Sequence, residues 1–238
     1  MKDIFFDLDH TLWDFESNSK QALENLFYKF ELNTLVKSFE KFHSTYKTYN
    51  SKLWRQYGTG KITKDVLRSK RFSDTLSNFN IHNKQLSVDL GEEYISTSPY
   101  QTKLFPGTKD LLKELKDNGS KLHIITNGFK EIQFIKLEKS GILDFFDVVV
   151  CSEDVGLTKP APEVFHYALN KANAVVEESL MIGDDHRVDI MGAEAIGMTG
   201  VLFDPHKSYK EDFHQWQVKE LKEISPLIFR IKSHQLKN

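Results

Sequence analysis

The eleven residues MKDIFFDLDHT, Met1 to Thr11, decide how this chain is read. Ile4, Phe5 and Phe6 make a short apolar run of high strand propensity, and the run stops at Asp7, Leu8 and Asp9, with Thr11 just beyond. Two carboxylates therefore stand at the carboxyl end of a buried strand. Alternate residues of an extended chain face the same way, so Asp7 and Asp9 leave the strand on one side and Leu8 on the other. Two neighbouring acids oppose each other's ionisation unless a cation, a hydrogen-bond network or a shared proton relieves them.

Working outward, residues 16–98 contain no convincing strand and read as four helices. Ala22, Leu23, Leu26, Phe27 and Phe30 recur at helical spacing, as do Phe39, Phe42, Tyr46, Tyr49, Leu53 and Trp54, then Val66, Leu67, Phe72 and Leu76. A last helix is expected over Lys84 to Ser96. The breaks fall on turn chemistry at Asn33-Thr34, Gly58-Thr59-Gly60, Asn78 to Asn83 and Ser98-Pro99. Four consecutive helices suggest a small bundle.

From Pro106 onward strand and helix alternate. Strands are expected at Lys121 to Ile125, Phe146 to Cys151, Leu180 to Ile182 and Thr199 to Phe203. Helices are expected at Gly107 to Asp117, Lys130 to Ser140, Pro162 to Asn173 and Val188 to Ile196, with an amphipathic helix in the tail from Gln217. Such alternation implies an α/β doubly wound parallel sheet, and the first strand must join it to bury both faces. The organisation is then a sheet core of residues 1–15 and 99–238, with residues 16–98 inserted as a helical-bundle cap.

Ligands of a doubly wound sheet bind beyond the carboxyl ends of its strands, and there the polar residues collect. Asp7 and Asp9 follow the first strand, Thr126 and Asn127 the second, Ser152 and then Lys159-Pro160 the third, and Gly183, Asp184 and Asp185 the fourth, with Asp189 further on. Five carboxylates and one lysine are expected to converge. An all-oxygen set of that kind suits magnesium; calcium-loop spacing and a Cys/His cluster for zinc are both absent.

Four motifs in order, DLDHT at Asp7 to Thr11, ITNG at Ile125 to Gly128, Lys159-Pro160, and GDDHRVD at Gly183 to Asp189, resemble the haloacid dehalogenase superfamily in its phosphatase branch. The resemblance implies a Rossmann-like core and a magnesium-dependent phosphomonoester hydrolase. In it Asp7 is the nucleophile that forms an aspartyl-phosphate, and Asp9 is the general acid and then the general base. It implies magnesium on Asp7, the backbone carbonyl of Asp9 and Asp184, and phosphoryl contacts from Thr126, the backbone of Asn127-Gly128 and catalytic Lys159. Thr11 would order the loop, and Asp185 and Asp189 would orient Lys159 or metal-bound water. His10 departs from the residues common at its position.

The stretches LWRQYGTGKIT (residues 53–63), Arg71-Phe72, TNGFKEIQFIKLEKSG (126–141) and SEDVGLTKP (152–160) resemble the nucleotidase-like branch, which acts on pyrimidine and noncanonical nucleoside monophosphates. Trp54 and Tyr57 then offer apolar faces for a base or sugar, and the glycines of the loop expected at Tyr57 to Gly60, which joins two cap helices, let backbone approach a ligand. Phosphoglycolate or sugar-phosphate hydrolysis is the alternative, and a phosphosugar mutase a more distant one. A dehalogenase has no need of Asp9. A receiver domain lacks the long insertion after its first strand.

Composition agrees with a small phosphorylated metabolite as the partner. With 32 Lys and Arg against 34 Asp and Glu, the formal net charge of -2 gives no basic field for a nucleic acid polymer or an acidic membrane. The amino terminus opens directly into a strand and no apolar run is long enough to span a bilayer, so a cytoplasmic location is expected, with no obligate protein partner evident. Cys151, the only cysteine, follows Val148 to Val150 and reads as a buried core thiol.

Overall fold

A computed structural model describes residues 1–210 and 212–235. Six parallel strands form one sheet in the order β3-β2-β1-β4-β5-β6. They are β1 (Asp3–Phe6), β2 (Lys121–Thr126), β3 (Val148–Cys151), β4 (Ser179–Gly183), β5 (Thr199–Phe203) and β6 (Gln217–Val218). The chain steps outward from β1 through β2 to β3 and then returns to the other side of β1 with β4. β1 is therefore central, with Phe6 level with Ile124 on one side and Ile182 on the other.

Residue alternation divides the apolar side chains between the two faces of the sheet. Ile4, Phe6 and Leu8 pack with Leu122, Ile124, Leu180 and Ile182 beneath helices α5 (Thr108–Asp117) and α10 (Ile224–Gln235). Phe5 joins Ile125, Val150 and Met181 beneath α8 (Pro162–Ala172) and α9 (Met191–Glu194). The remaining helices of this unit are α6 (Lys130–Lys139) and the short α7 (Ser152–Val155). All four residues of β1 are buried, as a strand covered on both faces requires.

Contacts divide the chain into two compact units, Met1–Phe15 with Thr102–Asn238, and Glu16–Gln101. The second is built from α1 (Phe15–Lys29), α2 (Phe39–Gly58), α3 (Lys64–Ser77) and α4 (Lys84–Thr97). Its core gathers Leu23, Leu26, Phe27, Phe42, Tyr46, Phe72, Leu76, Leu90 and Tyr94. Ser38, Thr63 and Asn83 cap α2, α3 and α4 by accepting from Lys41, Val66 and Leu86 backbone N–H groups. No helix among the described residues is long and apolar enough to cross a membrane.

Three local expectations change. The tail does not become helical at Gln217: Gln217 and Val218 pair with Leu202 and Phe203 as β6, and α10 begins only at Ile224. A two-residue strand carries no periodicity, and its pairing is set by the open edge of β5. The helix expected over Val188 to Ile196 opens one residue pair earlier as a wide π turn, His186–Ile190, before α9. Tyr57 lies in the last turn of α2, which continues to Gly58, and not in a loop.

His123 and Asp3 form a buried polar pair inside the sheet, 3.0 Å from Nε2 to Oδ1. Burial lowers the His123 pKa from 6.5 despite the opposing pull of Asp3, so the folded protein prefers the neutral ring. A depressed histidine pKa contributes stability that is complete above the unfolded value and is lost as pH falls below it. Unfolding free energy should therefore fall more steeply for wild type than for His123→Gln between about pH 7 and about pH 5. Chemical denaturation across that range measures it; parallel curves would show that the folded protein does not disfavour the charged ring.

Candidate active site

The central position of β1 places Asp7 at the sheet's switch point, between the ends of β2 and β4. Its backbone N–H donates to Ile182 O at 2.9 Å, extending the ladder by one residue and fixing where the carboxylate leaves the sheet. Lys159 arrives from the segment after β3. Its Nζ lies 2.7 Å from Asp7 Oδ1, 2.7 Å from Asp189 Oδ1, and donates to Ile125 O at 2.7 Å. Asp7 and Ile125 O thus accept hydrogen bonds from the ammonium, Asp189 adds a close ion pair, and the side chain is only 1% exposed.

The position of Lys159 is built from the neighbouring strand. Asn127 Oδ1 accepts from Lys159 N at 2.7 Å while Asn127 Nδ2 donates to Lys159 O at 3.1 Å, so one amide grips both backbone groups of the lysine. Ser152 Oγ donates to Asn127 O. Gly183 makes room for Asp189: a Cβ there would lie 2.3 Å from Asp189 Oδ2. Asp189 Oδ2 also accepts from Asp185 N at 3.1 Å.

Asp7, Asp184 and Asp189 bring oxygen atoms within 4.8 Å of one another. Burial, with the charges of Lys159, Asp189 and Asp9 as lesser influences, pushes the Asp7 pKa up to about 7. Burial and then the charges of Asp189 and Asp7 raise that of Asp184 well above the carboxylate range. Burial opposes the Lys159 charge, but Asp189 and Asp7 outweigh it and raise its pKa. One ammonium among three clustered acids leaves negative charge in excess. A hard cation with oxygen ligands fits that donor set.

Not all five acids converge. The Asp185 side chain turns back to accept from Arg187 and Val188 backbone N–H groups at 2.9 Å each, capping the turn that carries Asp189. Of the two acids whose roles stood open, Asp189 contacts Lys159 and Asp185 does not. Asp9 also points elsewhere: Lys136 Nζ lies 2.6 and 2.9 Å from its two oxygens. Thr11 Oγ1 sits between Asp7 Oδ2 and Asp184 Oδ1, at 3.4 and 3.3 Å, and can donate to one at a time.

Lys136 and Gln133 are the residues that sequence reasoning missed. Lys136 is buried, with its ammonium 4.3 Å from the Trp13 ring centroid. Gln133 Nε2 donates to Asp9 Oδ2 at 3.0 Å and to Thr126 Oγ1 at 2.7 Å, tying two candidate residues together. Thr126 Oγ1 also accepts from Gly128 N, which leaves the threonine hydroxyl hydrogen to donate. The available signal was their spacing in α6, three residues apart on one helical face directly after the TNG turn.

Trp54 and Tyr57 belong to the inserted unit, where their rings meet edge-on with centroids 5.7 Å apart. His186 is half-buried against Phe213, Tyr209 and His214. His10 takes a left-handed backbone conformation, φ 67°, with its ring against Phe15. Cys151 is buried, and burial pushes its thiol pKa up to about 12, which makes it inert at neutral pH.

Residues 1–197 match the model of the haloacid dehalogenase-like hydrolases, and the chain belongs to that family. It is an enzyme of the family's phosphatase kind. Pyrimidine 5'-nucleotidase YjjG of Escherichia coli is 32% identical over 228 residues, covering 94% of this chain and 96% of that protein. Ribulose-1,5-bisphosphate 5-phosphatase of Halopiger xanaduensis is 33% identical over 210 residues, 85% of this chain and 84% of that one. Among solved structures, the magnesium-bound HAD-hydrolase YfnB of Bacillus subtilis superposes with a TM-score of 0.85 at 28% identity, over 95% of this chain and 97% of its own.

Gly183→Ala tests how Asp189 is held. The added methyl must displace the Asp189 carboxylate from Lys159. The expected result is a folded protein whose kcat/KM for any phosphomonoester falls about tenfold or more, ~1.4 kcal/mol of transition-state stabilisation. Steady-state kinetics beside a thermal melt checks it, and native kinetics would show that the Asp189 contact is dispensable.

Proposed function

We propose that the chain is a magnesium-dependent phosphomonoester hydrolase that works through an aspartyl-phosphate and acts on nucleoside monophosphates or related small phosphorylated metabolites. The observation that carries this reading is Asp7 at the sheet's switch point, held by Lys159 beside Asp184, with a second acid, Asp9, kept apart in its own ion pair. Similarity to a pyrimidine 5'-nucleotidase supports the nucleotide class. Similarity to a ribulose-bisphosphate phosphatase supports a sugar phosphate as the second reading.

In this mechanism an Asp7 oxygen attacks phosphorus, the bond from phosphorus to the ester oxygen breaks, and Asp9 gives its proton to the departing alcohol. Asp9 then takes a proton from water, whose oxygen attacks the same phosphorus and frees Asp7 and inorganic phosphate. Thr126 donates its free hydroxyl hydrogen to a phosphoryl oxygen, and the Asn127-Gly128 backbone completes the grip. Lys159 donates to Asp7 and Ile125 O and pairs with Asp189, and it reaches the phosphoryl group by exchanging its contact with Asp7. Asp7, Asp184 and the Asp9 carbonyl would hold magnesium, which neutralises phosphoryl charge when bound. Asp185 and Asp189 act behind these residues, and Thr11 steadies Asp7 and Asp184. Trp54 and Tyr57 supply apolar faces to the rest of the substrate.

Phosphate release from uridine monophosphate, a sugar phosphate and p-nitrophenyl phosphate tests the class. Asp7→Asn and thorough chelation should each remove turnover by a factor of about 1000 or more, ~4 kcal/mol, with the fold intact. Near-normal rates in either case overturn the mechanism. Lys136 gives a finer test, because a nitrophenolate leaves without needing a proton and a sugar alkoxide does not. Lys136→Met should depress kcat about tenfold more for the sugar phosphate than for p-nitrophenyl phosphate. Equal losses would mean that Lys136 only supports the fold.

A further inference from the structure

Gln133, in the first turns of α6, is wholly buried at 0% exposure. Its amide nitrogen carries two hydrogens, and both are engaged, one on Asp9 Oδ2 at 3.0 Å and the other on Thr126 Oγ1 at 2.7 Å. The opposite orientation of the amide would set its oxygen against a carboxylate oxygen, two acceptors at hydrogen-bond distance. Gln133 Oε1 is left sealed from solvent with no hydrogen-bond partner among the described residues. A methionine would fill the same space without that cost, so what distinguishes glutamine here is its pair of donors.

The turn after β2 is shaped to admit this amide. A Cβ on Gly128 would lie 2.4 Å from both Gln133 Cδ and Gln133 Nε2, so the carboxamide fits only where residue 128 has no side chain. Gln133 N donates to Phe129 O at 3.0 Å, which anchors the glutamine to the same turn.

The consequence falls on Thr126. A hydroxyl has two lone pairs and one hydrogen. Gly128 N, at 3.1 Å, occupies one lone pair and Gln133 the other. Toward any further group Thr126 can then act only as a donor, which matches an anion whose oxygens only accept. Without Gln133 one lone pair is free and the hydroxyl can turn to accept instead. The same amide acts on Asp9. Gln133 and Lys136, one turn apart on α6, both reach Asp9 Oδ2, at 3.0 and 2.9 Å. The ammonium supplies charge from a rotating group, whereas the planar amide, fixed at its other hydrogen by Thr126, sets the rotation of the carboxylate.

We propose that Gln133 is a positioning residue that makes Thr126 an obligate hydrogen-bond donor to a tetrahedral oxyanion and locks the rotation of the Asp9 carboxylate to it. Its effect on turnover rests on the phosphatase reading; its effect on oxyanion binding does not.

The test is a double-mutant cycle of wild type, Gln133→Met, Thr126→Val and the double variant, with thermal melts to confirm folding. Calorimetric titration of inorganic phosphate and of orthovanadate, with magnesium present, reads the Thr126 part without turnover. Gln133→Met should weaken binding of either anion about fivefold or more, and in the Thr126→Val background the same change should weaken it by less than about twofold. Losses that multiply in the double variant, or unchanged affinity in folded Gln133→Met, overturn the proposal, because a residue that only supports the fold acts alike with or without the Thr126 hydroxyl. Where Gln133→Met does not fold, Gln133→Asn, which keeps an amide but draws it back by one carbon, takes its place in the cycle. For the Asp9 part, kcat for a sugar phosphate divided by that for p-nitrophenyl phosphate should fall about threefold or more in Gln133→Met, since only the sugar alkoxide needs a proton on leaving. An unchanged ratio overturns that part. Coupled oxyanion binding in a wild type that hydrolyses no phosphomonoester would keep Gln133 in its role at Thr126 and reject the phosphatase reading, and a wild type that binds neither anion overturns the proposal.

Discussion

The buried ammonium of Lys159 is the constraint on which the sheet edge depends. A charge 1% exposed is tolerable only because Asp7 and Asp189 pair with it and Ile125 O accepts a hydrogen bond from it. Each partner then imposes a condition on its own element. Asp7 must sit at the end of the central strand, Asn127 must hold the lysine backbone from β2, and residue 183 must lack a side chain so that Asp189 fits. One charge thereby couples β1, β2, β4 and the segment after β3. Removing any partner leaves a buried ion short of compensation, which is more costly than never having buried it.

The acids near this edge are sorted into two environments. Asp7, Asp184 and Asp189 share a crowded, nearly dry cluster with one cation for three carboxylates. Asp9, two residues from Asp7, has a lysine of its own against the Trp13 ring. Burial with too little positive charge raises the Asp7 pKa, whereas a dedicated ammonium neutralises Asp9 locally. Gln133 links the two regions through its contacts with Asp9 and Thr126, so the segregation is held in place by packing as well as by charge.

The inserted unit handles polarity differently. Its apolar core of phenylalanines and leucines stands beside a buried Arg71, whose guanidinium lies over the Tyr94 ring. In the sheet unit the buried lysines are saturated by acids.

The sequence by itself determined the parallel α/β core, the helical nature of residues 16–98 and the residues that gather at the carboxyl ends of the strands. Each rests on a local signal: apolar runs ended by polar turns, helical spacing, or short motifs in order. The structure alone decided where side chains point once they arrive. Asp185 caps a turn while Asp189 reaches Lys159, and nothing in GDDHRVD separates two nearby acids, because the choice is made by the clearance at Gly183 and the wide turn after it. Lys136 reads in the sequence as one more charge on an amphipathic helix; only the packing of α6 against the loop after β1 pairs it with Asp9. Gln217 and Val218 form a strand because β5 offers them an open edge, which is a property of the assembled sheet and of no local pattern. Arg71 looks like a surface residue until α2 and α4 enclose it, since burial is decided by which helices become neighbours.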